Sequence, residues 1–203
     1  ADVTDAQPPD VTQAIWADLQ ELIATLPPGY RIDIGGSVEQ SGKADASIQK
    51  VQPIMLGLIL IVIMLQMRSF SGTLMVIATA PLGIIGATLA LLIADRPFGF
   101  VALLGLIGLA GILMRNTLIL AKQIEDNLHQ GMEAASAVID ATVRRSRPVV
   151  LTAAAAVFAF IPLTTDTFWG PLAFVLIGGI IVGTAVTLLF LPALYALWFR
   201  VNL

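Results

Sequence analysis

Beyond residue 50 the chain runs in long apolar stretches, whereas polar and charged residues crowd the first 50 positions. Crossing a hydrocarbon core as a helix takes about 20 apolar residues. Five runs meet or approach that length: 51–67, 72–94, 98–121, 149–163 and 171–199. The second contains Pro81, and a kink there is tolerable inside a bundle. The fourth is short and is expected to begin in the headgroup layer beside Arg147 and Pro148. The fifth is long enough to tilt or bend, with Pro192 as the expected bend. The pattern predicts an all-α membrane bundle of about five transmembrane helices behind a short α/β lead-in.

The lead-in follows the patterns of water-soluble protein. Asp10 is expected to cap a helix that begins after Pro8 and Pro9. Val11, Ile15, Leu19, Leu22 and Ile23 recur at helical spacing and form one apolar stripe, which Pro27-Pro28-Gly29 ends. Tyr30, Ile32 and Ile34 alternate with Arg31 and Asp33, the pattern of a half-buried strand closed by Gly35 and Gly36. Neither element buries its apolar face alone, so residues 1–36 read as the end of a larger α/β domain. Residues 37–50 read as a connector, and 51–203 as the membrane domain. Inside that domain Gly131 divides a polar loop over 122–147. Met132, Ala135, Val138, Ile139 and Val143 fall on one side of it. This fits an amphipathic helix at about 124–145 lying along the cytoplasmic face, and fits a plain connecting helix equally well.

Charges in the short links set an orientation. Arg68 follows the first span, Lys122, Arg144, Arg145 and Arg147 follow the third, and Arg200 lies at the C-terminus. The links after the second and fourth spans carry only Arg96 as a cation, with Asp95 and Asp166. Cytoplasmic loops are the ones enriched in Lys and Arg. The C-terminus is therefore expected inside and residues 1–50 outside. No signal peptide precedes that outside tail, so more chain is expected upstream.

Composition sharpens the picture. Hydrophobic residues make up 57% of the 203 and charged residues 12%, with mean hydropathy +0.89. Soluble domains carry about 25% charged residues. The net charge of -3 and the lack of a basic stripe leave no footprint for nucleic acid. The absence of cysteine rules out disulfides, thiolate catalysis and Cys-ligated zinc within the chain. The single histidine, His129, sits in a polar stretch as a solvated helix residue. No nucleophile–base pair, phosphate loop or metal-ligand spacing is present, so no cofactor is expected and the chain does not read as an enzyme.

Arg115 is the most informative residue, set in GLIGLAGILMRNTLILA with apolar turns on both sides. A charge in a span costs about 2.5–3.5 kcal/mol on insertion scales and is a functional hypothesis by default. The alternative is an arginine that snorkels to the nearby cytoplasmic end. Asn116 adds a second polar group. No Asp or Glu lies inside any span, so the counter-charge for Arg115 is water, lipid phosphate or a carboxylate outside this chain. Gly105, Gly108 and Gly111 precede it at spacing three, which favours close helix packing and turns the arginine face toward protein. Thr152, Thr164 and Thr165 lie in the fourth span, where threonine usually bonds back to its own helix. Arg145 and Arg147 flank the membrane entrance beside Pro148 as positive anchors.

Several segments occur in one order and spacing over nearly the whole chain: LPPGYRIDIGGSVEQSG, RSFSGTLMVIATAPLGIIGA, GLIGLAGILMRNTLIL, RRSRPVVLTAAAAVFAFIPL and GGIIVGTAVTLLFLPALYAL. Together they resemble the C-terminal part of the resistance-nodulation-division (RND) exporters, especially the multidrug branch. The resemblance implies helices eight to twelve of a six-plus-six repeat in the bacterial inner membrane, with residues 1–36 as the tail of a periplasmic porter subdomain. It implies proton-driven export of amphipathic or hydrophobic compounds by a homotrimer. A periplasmic adaptor and an outer-membrane channel are the implied partners. A proton relay centred on aspartates of helix four, in the part of the pump upstream of this chain, is implied too. Arg115 matches the basic helix-ten residue that pairs with those aspartates, and Asn116 lies beside it. Thr152 matches a helix-eleven threonine of the relay, and Arg145 an arginine near its inner entrance. The multidrug branch usually has lysine where Arg115 stands. Arginine keeps its charge, so the resemblance implies a fixed cation whose partners change protonation. Lys122, at a position often acidic in relatives, is given no role. Metal-exporting and lipid-exporting branches remain open, as does a structural bundle that transports nothing by itself.

Overall fold

The computed structural model describes residues 8–166 and 168–199. Their elements are helices α1 (Pro8–Asp18), α2 (Gln20–Ala24), α3 (Ser37–Met67), α4 (Phe70–Thr79), α5 (Leu82–Ile93), α6 (Phe100–His129), α7 (Ala134–Phe160) and α8 (Gly170–Phe199). A single 3-10 turn, Ile161–Thr165, extends α7. The chain divides into two units, residues 1–56 and 57–203. Arg200, used above for orientation, lies outside the described residues.

In the first unit α1 begins at Pro8, so Asp10 falls in its first turn and not at its cap. None of residues 11–56 whose side chains are described is buried, and Ile15 and Leu22 of the apolar stripe are each more than half exposed. The expected strand over 30–34 is not formed. A strand needs a ladder partner for its backbone groups, and the described residues contain no other strand. Residues 37–50, read above as a connector, are helical from Ser37, immediately after Gly36 at φ +72°.

The second unit is a helical bundle. Along the described chain five stretches are long and apolar enough to cross a membrane: Ser41–Met67, which begins in the first unit, and Phe70–Ile93, Phe100–His129, Ala134–Thr165 and Gly170–Trp198 in the second. The second stretch is α4 plus α5, interrupted at Ala80 and Pro81 because proline has no N–H to continue the ladder. α7 and α8 each run through an internal proline, Pro148 and Pro192. The helix that carries the fourth apolar run is longer than the run itself. It starts at Ala134, and the polar stretch 122–147 forms no separate helix. Its residues extend α6 and α7, and only Gln130–Glu133 turn the chain. Gly131, at φ +84°, ends α6: its N–H donates to the Leu128 carbonyl and that of Met132 to the Asn127 carbonyl, at 3.0 and 3.2 Å.

α8 is the central helix, packed against α4, α5, α6 and α7. Close approach depends on glycine. Leu109 of α6 sits against Gly83 of α5 and Gly179 of α8, and Leu113 against Gly83 and Gly183. Gly86 and Gly178 bring the α5 and α8 backbones together so closely that either Cβ would collide with the partner's carbonyl oxygen. With no water to expel in lipid, such packing supplies much of the association between helices. A second cluster joins Met75, Leu120, Ile124, Val138, Ala141 and Leu191, and a third joins Ile63, Met67, Val76 and Ala121.

α5 ends in the same double hydrogen-bond pattern as α6, from Asp95 to Leu92 and from Arg96 to Leu91, but Asp95 holds the left-handed position at φ +49°. A side chain there is strained by about 1–2 kcal/mol, and a carboxylate at a helix C-terminus opposes the helix dipole. Asp95→Gly is therefore expected to stabilise the bundle by about 1 kcal/mol. Reversible unfolding in mixed detergent would read this, and a destabilised variant would contradict it.

Candidate functional site

Arg115 lies midway along α6 and is exposed. Its guanidinium makes no ion pair or hydrogen bond among the described residues. Residues 108, 111 and 115 share a helix face by their spacing. Both glycines on it open onto empty space, with no atom within 4 Å of where a Cβ would stand on either. Gly105 differs, because it packs against Val175 of α8. The glycine stripe read from sequence thus splits: Gly105 serves the bundle seen here, while Gly108 and Gly111 border Arg115 on an uncovered face.

The neighbours of Arg115 turn the other way. Asn116 is 6% exposed and Thr117 is fully buried. Asn116 makes no side-chain hydrogen bond among the described residues. The Thr117 hydroxyl lies 2.8 Å from that of Thr79 in α4. Thr79 donates its own proton to the Val76 carbonyl at 2.7 Å, so Thr117 is the donor between the two. This pair ties α4 to α6 two residues beyond Arg115. A double-mutant cycle of Thr79→Val and Thr117→Val is expected to give a coupling of about 0.6 kcal/mol, the average for such bonds in membranes. Strict additivity of the two single variants would refute the link.

Thr152 is on the exposed side of α7 and donates to the Val149 carbonyl of its own helix at 2.9 Å. Arg145 reaches across to α6, where its Nε and Nη2 donate to Gln123 Oε1 at 3.1 and 2.6 Å. No hydrogen bond or ion pair joins Arg115, Asn116, Thr152 and Arg145 to one another among the described residues.

Sequence reading missed the polar group that Arg145 belongs to. Gln123 Nε2 donates to Asn127 Oδ1 at 3.0 Å. Asn127, 2% exposed, donates through Nδ2 to the Ala137 carbonyl and to Asp140 Oδ2, each at 3.1 Å. Arg144 Nε completes the group on Asp140 at 2.9 Å. The signal available beforehand was spacing: Gln123 and Asn127, and Asp140 and Arg144, are four apart and share helix faces. Lys122 pairs locally, 2.8 Å from Glu125 and 3.7 Å from Asp126. No group of three or more His, Cys, Asp or Glu converges to hold a metal among the described residues.

Similarity to known proteins supplies the context for this geometry. The nickel and cobalt resistance protein CnrA of Cupriavidus metallidurans is 35% identical over 83% of this chain. The cobalt-zinc-cadmium resistance protein CzcA of the same organism is 36% identical over 86%. The chain spans only 16% and 17% of those two proteins. A crystal structure of a heavy metal efflux pump superimposes with a TM-score of 0.76 over 98% of the chain, at 24% identity, and the match covers 20% of that pump. At that identity the likeness speaks for the fold alone. The profile of the AcrB/AcrD/AcrF family matches residues 4–199, so the chain belongs to that family of RND membrane transporters, which are not enzymes.

Proposed function

We propose that this chain is the C-terminal membrane stretch of a proton-driven exporter in the bacterial inner membrane, and that Arg115 is the fixed cation of its proton pathway. The observation that carries this reading is the uncovered face of α6, where an unpaired guanidinium stands above two glycines that leave room for another helix. A membrane charge without a partner is costly, so that face calls for a carboxylate. The carboxylate-bearing helix belongs to a part of the transporter outside these 203 residues, in keeping with the small share of its relatives that the chain spans. Protonation of that carboxylate releases Arg115, which stays charged throughout. Asn116, Thr152 and Arg145 are the relay neighbours in this reading. The first residues face the periplasm and close the porter subdomain, and the C-terminus is cytoplasmic. The working assembly is a homotrimer with an adaptor and an outer-membrane channel.

The cargo is read here as divalent transition-metal ions. Both relatives above are metal resistance proteins by name, and Arg115 departs from the lysine usual in the multidrug branch. In this reading the stretch supplies drive and cargo choice belongs to the porter domain. A second reading, amphipathic organic cargo, keeps the support of the segment resemblance. Reconstitution of the full-length transporter decides between them. Proton efflux coupled to cobalt or zinc transport is expected, and coupling to an amphipathic dye without response to either metal would favour the second reading.

A further inference from the structure

The polar group between α6 and α7 has a direction. A guanidinium only donates hydrogen bonds, so Gln123 must present its carbonyl to Arg145. Its amide then donates to Asn127, whose own amide donates to Asp140 and to the Ala137 carbonyl, which are acceptors. Both carboxamides therefore have one orientation that satisfies every member. Donors run head to tail from the cation on α7, through two neutral amides of α6, to the anion on α7. Bonds in such a chain polarise and strengthen one another where water is scarce. Neutral amides are poor proton carriers, so the arrangement holds geometry and does not conduct.

What it holds is the register of two helices. Arg115 lies eight residues before Gln123 along α6, or about 12 Å at 1.5 Å per residue. Thr152 lies seven residues beyond Arg145 along α7, or about 10 Å. The hairpin brings Gln123 and Arg145 to one level, so it also brings Arg115 and Thr152 to nearly one depth. A slip of one helical turn would part them by about 5.4 Å.

We propose that Gln123 and Asn127 are positioning residues that lock α6 to α7 through Arg145 and Asp140, so that the helix of Arg115 and the helix of Thr152 move as one unit. The part concerning transport rests on the proposed function, whereas the lock itself does not. The test uses the full-length transporter, made cysteine-free outside this chain, which contains none. Nitroxide labels go on exposed Ile119 of α6 and Val143 of α7, and their distance distribution is measured without cargo. The parent is expected to show one narrow distribution. Gln123→Met removes both the acceptor for Arg145 and the donor to Asn127, and Asn127→Leu removes both bonds from Asn127 to α7. Each is expected to at least double the width. An unchanged width in Gln123→Met overturns the lock, and this near-isosteric, uncharged variant decides the matter if Asn127→Leu does not fold. For transport, Gln123→Met is expected to lower turnover at least tenfold with the cargo KM unchanged. Full turnover on a broadened hairpin would overturn the coupled movement and leave the proton role of Arg115 standing. A transporter without any proton coupling would instead refute the proposed function and leave the distance result intact.

Discussion

Arg115→Ala in the full-length transporter is expected to lower proton-coupled export at least a hundredfold while still yielding folded protein. Placing arginine in a span costs about 2.5–3.5 kcal/mol on insertion scales, a burden that alanine removes, and a carboxylate left without its cation can take up a proton instead of staying as a bare buried charge. If the guanidinium only snorkelled to the interface, its loss would leave transport as it was. If it neutralises a carboxylate during the proton cycle, its loss leaves that carboxylate with no cation and stops the cycle. Export driven by an imposed pH gradient in everted vesicles, normalised to folded protein, is the measurement. Unchanged export would sink the proposed role. Arg115→Lys is expected to restore export near neutral pH and to lose it at alkaline pH. Lysine supplies the same charge but gives up its proton more readily in a poorly hydrated site.

Gly86→Leu is expected to unfold the bundle, with a cost of about 3 kcal/mol or more. The obstacle is backbone, not a movable side chain. A Cβ on Gly86 would strike the Gly178 carbonyl and lie 2.7 Å from the Val182 Cβ. Relief requires α5 and α8 to separate, which also opens the notches where Gly83, Gly179 and Gly183 receive Leu109 and Leu113. Overpacking a core ordinarily costs about 1–3 kcal/mol, and loss of the leucine contacts adds to it. Loss of the folded fraction in a detergent unfolding titration is the readout, and wild-type stability would contradict the close-packing account. Gly108→Leu gives the contrast. Nothing lies within 4 Å of that position, so it is expected to be neutral in the 203-residue chain. In the full-length transporter the same substitution is expected to be damaging, because the proposed function seats another helix there.

Much of the membrane architecture was legible because a bilayer imposes one simple demand. Every backbone group in the hydrocarbon must be satisfied within its own helix, so a sufficient run of apolar residues marks a span whatever surrounds it. The breaks were legible for a similar local reason. Pro81 interrupts the second span because its nitrogen has no proton, and Gly131 turns the chain because it accepts φ +84°. Local pattern misled wherever the outcome depended on a neighbour. Tyr30, Ile32 and Ile34 alternate like a strand, but alternation does not provide the adjoining strand that would bond them. The polar residues of 122–147 suggested a separate surface helix, yet they continue α6 and α7, where the two helices satisfy one another's polar groups.

The sequence by itself determined the five spans, the membrane setting and the anomaly of Arg115, since each follows from the composition of a short window. Only the tertiary structure decided which groups meet. Gln123 and Arg145 are 22 residues apart, and Thr79 and Thr117 are 38 apart. Their pairing depends on the rotation and register of whole helices, which no local window encodes. The same holds for the glycines of α6: their spacing is alike, but helix rotation seats Gly105 against Val175 and leaves Gly108 and Gly111 open beside the arginine.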